Sequence, residues 1–207
     1  MKALVGLGNP GPEYVETRHN LGFRLAEAFA ARHRVKRFHT EGSMLAARVR
    51  VGGEEVVVVK PRTFMNRSGV AVRELATRYA ARGDDLLVAH DDLDLDLGMV
   101  RIKIGGGHGG HNGLRSIIED ASAGEFVRIR LGIKRPEPGI DAAEWVLESF
   151  SEDELGAVGD VIERGVDAVD ALLRNGSARA MNEFNRRPER ATAPAGETAG
   201  ETAGKTG

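Results

Sequence analysis

Residues 3–29 read ALVGLGNPGPEYVETRHNLGFRLAEAF, and their order sets the fold class. The apolar run Ala3–Leu7 closes on Gly8-Asn9-Pro10-Gly11, which reads as a buried strand entering a tight loop. Leu21, Leu25, Ala28 and Phe29 then follow helical spacing. The same change of period recurs down the chain. Met44–Val51 and Glu55–Lys60 are expected to form a hairpin about Gly52-Gly53. Val72, Leu75 and Tyr79 mark a second helix, and Leu86–His90 is a third apolar run that ends in acids. Met99–Ile104 and Phe126–Ile133 alternate, with a glycine-rich loop and a short helix, Leu114–Asp120, between them. Asp141 with Glu144, then Ser151 with Glu154, give helix-start signals. The second opens the series Leu155, Val158, Ile162, Val166, Val169 and Leu173, and a last short helix carries Met181 and Phe184. Strands alternating with helices predict an α/β fold, a single domain over residues 1–186. Its sheet is expected to be mixed, mostly parallel and twisted, with helices on both faces.

Residues 187–207 differ in character. Their end, ATAPAGETAGETAGKTG, has no large apolar side chain and repeats Gly-Glu-Thr-Ala. Such a segment cannot bury enough surface to offset its ordering entropy, so a disordered, low-complexity tail is expected. The 207-residue chain is 41 % hydrophobic, enough for a substantial core. It has no cysteine, which excludes disulfides and thiolate metal sites and suits a reducing, cytoplasmic setting. The first residues, MKALVGLGNPG, lack the apolar core of a signal peptide, and no stretch approaches the roughly 20 apolar residues of a membrane span. A net charge of −2 argues against a general nucleic-acid binder, yet leaves room for a local basic patch that grips a phosphate.

In open α/β sheets, sites form beyond the carboxyl ends of strands. Asn9 follows the first strand, Thr63–Asn66 follow Glu55–Lys60, and Asp91 and Asp92 follow Leu86–His90. Asn112 closes the glycine-rich loop, and His19 stands just before the first helix. One histidine, one or two aspartates and three asparagines can thus face one cleft that has no serine or cysteine nucleophile. That set suits attack by water: a neutral imidazole takes a proton near pH 7, a carboxylate on its other nitrogen fixes the tautomer, and amide N–H groups stabilise an oxyanion. Taken singly, each residue has a plainer role. His19 suits a surface or capping position, Asp91-Asp92 and Asn9 suit turns, Asn66 a helix cap, and Phe64 and Met65 a core.

Three other readings compete. Gly6-Leu7-Gly8-Asn9-Pro10-Gly11 has the spacing of a dinucleotide-binding loop, but Pro10 and Pro12 stand where its helix must begin. His90-Asp91-Asp92 and His108-Gly-Gly-His111 contain metal-ligand types, though the paired histidines sit in a glycine loop rather than on a rigid helix face, so no metal is expected. GGGHGGHNG can cradle phosphate, yet it lacks the lysine and hydroxyl of a nucleotide-hydrolysing loop.

At residues 6–23 (GLGNPGPEYVETRHNLGF), 60–69 (KPRTFMNRSG), 89–117 (AHDDLDLDLGMVRIKIGGGHGGHNGLRSI) and 126–136 (FVRIRLGIKRP), the sequence resembles the bacterial peptidyl-tRNA hydrolase family. Four blocks in order and spacing are far more specific than any one, and the resemblance covers about residues 2–186. It implies an esterase that releases the peptide, or another N-blocked aminoacyl group, from the 3′ end of tRNA and so recycles tRNA from stalled or dropped-off translation products. By position it implies that His19 is the catalytic base and Asp91 the carboxylate that holds it. Asn9 would distinguish peptidyl from free aminoacyl substrates. Asn66 and Asn112 would be substrate-binding amides, with Asn66 also an oxyanion contact. Tyr14 and Phe64 would touch the tRNA end or its peptide. Lys103 and Arg130 would grip the tRNA 5′-phosphate, and residues 141–150 would form a lid. It further implies a monomer that needs no cofactor. The residues agree: Arg101, Lys103, Arg128, Arg130, Lys134 and Arg135 alternate on two neighbouring strands and can form a basic strip, whose plainer role is a solvated sheet face. Two rivals remain at this level, a non-catalytic RNA-binding protein on the same fold and a hydrolase of another N-acylated ester or amide.

Overall fold

The computed structural model describes residues 1–120 and 125–186; the expected tail, 187–207, lies outside the described residues. The strands are β1 (Lys2–Gly6), β2 (His39–Glu41), β3 (Met44–Val51), β4 (Glu54–Pro61), β5 (Leu86–Asp92), β6 (Val100–Ile104) and β7 (Val127–Gly132). The helices are α1 (Leu21–Arg32), α2 (Ser68–Tyr79), α3 (Asn112–Asp120), α4 (Ala142–Trp145), α5 (Leu155–Asn175) and α6 (Ser177–Phe184). The strands form one sheet in the order β2-β3-β4-β1-β5-β7-β6.

Both faces of the central strands are covered, as their unbroken apolar runs require. Leu4, Leu87 and Ile129 meet α1, α5 and α6 on one face, whereas Ala3, Val5 and Val88 meet α2 and α3 on the other. The expected hairpin is present, with Gly52 and Gly53 at φ of 61° and 90° supplying its left-handed turn. β2 has no counterpart in the sequence reading; its three residues, HTE, carry no apolar period.

The sheet is mixed, but the expectation of a mostly parallel one needs correction. β4-β1, β1-β5 and β5-β7 are parallel; β2-β3, β3-β4 and β6-β7 are antiparallel. Parallel pairing is confined to the centre. β5 ends at Asp92 and β6 starts at Val100, and so short a connection cannot make the crossover of a dozen or more residues that parallel strands need.

Among the described residues no helix is long and apolar enough to cross a membrane.

Candidate active site

The site begins with a close approach of backbones. A Cβ on Gly22 would fall 2.4 Å from Ala89 O, and one on Gly6 would fall 2.2 Å from Gly22 O. Glycine at both positions lets the start of α1 rest on β1 and β5. The single turn Arg18–Asn20 precedes α1 and so sets His19 beside Asp91, at the end of β5. His19 Nδ1 lies 2.9 and 3.0 Å from the two Asp91 oxygens. His19 is 7 % exposed and Asp91 3 %.

A second histidine joins them. His111 Nδ1 accepts from the Gly113 N–H at 3.1 Å, which leaves its Nε2–H to donate to Asp91 Oδ1 at 3.0 Å. Burial alone would raise the Asp91 pKa, but the charges and hydrogen bonds of His19 and His111 outweigh it and hold the carboxyl well below the usual range. Burial would lower His19; the Asp91 charge and hydrogen bond outweigh that too, so its pKa stands above the ordinary 6.5. His90 behaves differently. Burial, then the neighbouring His111, push it down to about 3, and its Nδ1–H donates to Asp91 O at 2.7 Å.

Asn9 is fixed as firmly. Its backbone N–H donates to Asn20 Oδ1 at 2.7 Å, and Asn20 Nδ2 donates back to Asn9 O at 3.0 Å. The Met65 N–H donates to Asn9 Oδ1 at 2.8 Å, which orients the amide and, among the described residues, leaves Nδ2–H without a partner. Tyr14 and Phe64 meet edge to face with ring centroids 6.4 Å apart, and Phe64 is 55 % exposed.

A cleft of about 530 Å³ runs from His19 and Asp91, past His108 and Asn112, to Lys103, Arg128 and Arg130. Ala142, Ala143 and Val146 line its other side. That side is tied directly to the turn that carries His19. His19 N donates to Val146 O at 2.8 Å, and the Arg18 guanidinium sits 3.7 Å from the Trp145 ring centroid while pairing with both Glu154 oxygens at 3.0 and 2.7 Å.

The β6-β7 register sets Arg101 opposite Arg130 and Lys103 opposite Arg128, so four members of the expected basic strip share one face, while Lys134 and Arg135 lie past the end of β7. Like charges placed opposite one another repel, and three of the four are held by partners. Arg130 Nε donates to Asp92 Oδ2 at 2.7 Å, Arg101 to Asn185 O at 2.8 Å, and Arg128 to the carbonyls of Gly106 and Gly107. Among the described residues Lys103 has no ion pair.

A family model described as Peptidyl-tRNA hydrolase matches residues 3–192. The chain is 46 % identical over 187 residues to the peptidyl-tRNA hydrolase of Syntrophotalea carbinolica, covering 90 % of this chain and 98 % of that one. It is 45 % identical over 183 residues to that of Mycobacteroides abscessus, covering 88 % and 93 %. The chain belongs to the peptidyl-tRNA hydrolase family. The solved peptidyl-tRNA hydrolase of Acinetobacter baumannii superposes with a TM-score of 0.83 at 35 % identity, covering 89 % of this chain and 94 % of that one.

Within this member of the peptidyl-tRNA hydrolase family, the sequence-predicted residues fall into two groups. His19, Asp91, Asn112, Lys103 and Arg130 line the cleft, whereas Asn9, Asn66, Tyr14 and Phe64 sit outside it on the loops after β1 and β4. Asn66 is exposed and caps nothing; the residue before α2 is Arg67, without a side-chain cap. Residues 6–11 lead into a single turn, Pro12–Tyr14, not into the helix that a dinucleotide loop needs. Asn20 and the hydrogen-bonding roles of His111 and Arg128 were not anticipated. His19, Asp91 and His111 do bring three possible ligand atoms within 4.8 Å. The Gly113 N–H, however, makes His111 Nε2 a donor toward Asp91 rather than a lone pair toward a cation.

Proposed function

We propose that the cleft hydrolyses the ester between a peptide and the 3′ end of tRNA by direct attack of water, with His19 as general base. The observation that carries this reading is the buried His19–Asp91 pair: Nδ1–H is committed to the carboxylate, so Nε2 is the basic nitrogen at the cleft wall. Water gives its proton to Nε2 as its oxygen attacks the ester carbonyl. Asp91, itself steadied by His111, stabilises the imidazolium as it forms. Asn66 donates to the developing oxyanion, and tRNA leaves through its 3′ oxygen as the proton returns from Nε2. Asn112 binds the substrate at the cleft wall.

Asn9 supplies the choice of substrate. Its free Nδ2–H seeks a carbonyl, which an N-blocked aminoacyl group offers next to its nitrogen and a free ammonium does not. Tyr14 and Phe64 present a small aromatic surface to the peptide or the terminal bases. Lys103 and the free nitrogens of Arg130 take the 5′-phosphate at the far end of the cleft. The protein works as a monomer in the cytoplasm, as one domain over residues 1–186, with residues 141–150 as a lid and without metal or cofactor. Chelation with EDTA is therefore expected to leave kcat/KM unchanged.

Three substrates test the reading: N-blocked aminoacyl-tRNA, free aminoacyl-tRNA and a small N-acyl amino ester. Release from the first alone is expected. Binding without release would favour a non-catalytic RNA-binding role, and equal cleavage of the small ester would remove tRNA from the definition of the substrate.

A further inference from the structure

β6 runs opposite to β5 and β7, so the loop that follows it starts at the wrong end of the sheet for catalysis. Ile104 is level with Val127 and Leu87, whereas Asp91 is level with Leu131. The chain must return about four residues' rise, roughly 13 Å, across the face of β7 before His111 can reach Asp91. Among the described residues it is tied to the sheet at three points. Gly105 N donates to Phe126 O at 3.0 Å, His111 donates to Asp91, and between them Arg128 donates to Gly107 O at 2.5 Å and to Gly106 O.

Arg128 is 3 % exposed, has no carboxylate partner among the described residues, and its guanidinium stacks 4.7 Å above the Phe126 ring. With each terminal nitrogen bonded to a loop carbonyl and only 3 % of the residue exposed, this buried, unneutralised guanidinium is directed at the loop. What it does is orient two peptide units. In a trans peptide C=O and N–H point opposite ways. With the Gly106 and Gly107 carbonyls turned onto Arg128, the N–H groups of Gly107 and His108 face away from it, and neither has a partner among the described residues. Successive N–H groups of this kind make an anion-binding concavity. Lys103 borders it: a Cβ on Gly106, whose φ is +97°, would lie 2.9 Å from Lys103 Cε and Nζ.

We propose that Arg128 is a positioning residue for the tRNA phosphate. It pins the glycine loop so that the Gly107 and His108 N–H groups and the Lys103 ammonium converge on one phosphate, and its buried charge adds to their attraction. The inference rests on the phosphate grip argued above for Lys103 and Arg130. It assigns the loop backbone, and a residue that acts through that loop, to the same task. The His111 end of the loop keeps its own anchor on Asp91, so the chemistry is spared.

The test compares Arg128→Met, Arg128→Lys and Lys103→Ala on N-blocked aminoacyl-tRNA with and without its 5′-phosphate. Arg128→Met should raise KM for the phosphorylated substrate about tenfold or more and leave kcat within about threefold, because the lost bonds act on binding. KM for the dephosphorylated substrate should hardly move, and Arg128→Lys, which can keep one of the two bonds, should restore part of the loss. If Arg128→Met does not fold, as judged by thermal melting, Gly106→Ala displaces the same loop from Lys103 and should give the same split. A fall in kcat on both substrates would overturn the proposal, because loop damage would then reach the catalytic pair. Discrimination lost in Lys103→Ala but kept in Arg128→Met would overturn it while leaving the phosphate grip standing. Indifference of Lys103→Ala to the phosphate would remove the grip and this inference together.

Discussion

A histidine works as a general base only while it is neutral, so in the proposed mechanism Asp91 both helps and restrains His19. By lifting the His19 pKa above 6.5 it makes a stronger base and reserves that base for higher pH. The acid limb of kcat/KM should therefore lie above pH 6.5. Asp91→Asn leaves burial acting alone and should move the limb to lower pH while the plateau falls. His19→Ala should cost more, about 10²–10⁴-fold. A limb that stays in place in Asp91→Asn would mean that some other group titrates there. For Asn9, the sharper variant is Asp, which can still accept from the Met65 N–H but has no N–H to offer. Loss of one buried contact, about 1–3 kcal/mol, should appear as a lower kcat/KM ratio of N-blocked over free aminoacyl-tRNA. An unchanged ratio would take Asn9 out of discrimination. The meeting of His19 with Asp91 was legible because strand ends mark where polar residues gather, whereas Asn9, expected in the same cleft, lies on the loop beside it. His111 was read only as a possible ligand, since what sets its tautomer is the Gly113 N–H, a contact made when the chain reverses into α3. Arg128 looked like any alternating charge, because burial does not show in a strand's period.

At the scale of elements, the segment around α4 shows how local and distant signals combine. Ser151 and Glu154 form the capping box that their spacing predicts, with Glu154 Oε2 2.8 Å from Ser151 N. Asp141 also caps as expected, accepting from Ala143 N at 2.9 Å, but the helix it starts stops at Trp145. What the spacing did not reveal is that Glu154 also takes the guanidinium of Arg18, 136 residues away, and so fastens the base of α5 to the turn that carries His19. The Arg18 hydrogen bond is the main reason that the Glu154 pKa lies below its ordinary 4.5. A depressed carboxyl pKa adds stability above the unfolded value, and that stability is lost as pH falls through the folded value. Glu154→Gln should therefore lower Tm near neutral pH, and the gap from wild type should close as pH drops below about 4.5. Scanning calorimetry near pH 7 and near pH 3 measures this. A gap of equal size at both would show that shape, not charge, holds the turn.

For the whole molecule the decisive feature is how a parallel centre is closed at its edges. One side ends in the β2-β3-β4 meander, the other in β6, whose outer backbone would be left bare. The chain returns after α6 to cover it. Asn185 Oδ1 accepts from Ile102 N at 2.8 Å, Asn185 Nδ2 donates to Ile102 O at 2.9 Å, and Arg101 donates to Asn185 O. One side-chain amide thus does for Ile102 what an eighth strand would do. The sequence offered the apolar pair Met181 and Phe184 for α6, and nothing marked the asparagine after it, because an amide that mimics a strand carries no period. Since β6 also bears Lys103, this edge joins the segment after α6 to the Lys103 end of the cleft. Asn185→Ala removes both bonds to Ile102 and should cost about 1–3 kcal/mol, a fall of several degrees in Tm at this size. Deleting residues 187–207 should leave Tm and kcat/KM nearly unchanged, because that segment has no large apolar side chain to pack. The two variants melted side by side separate the cases. If the deletion costs as much as Asn185→Ala, the folded domain extends past Arg186. If Asn185→Ala costs nothing, Ile102 is content with water and the edge is closed by α6 alone.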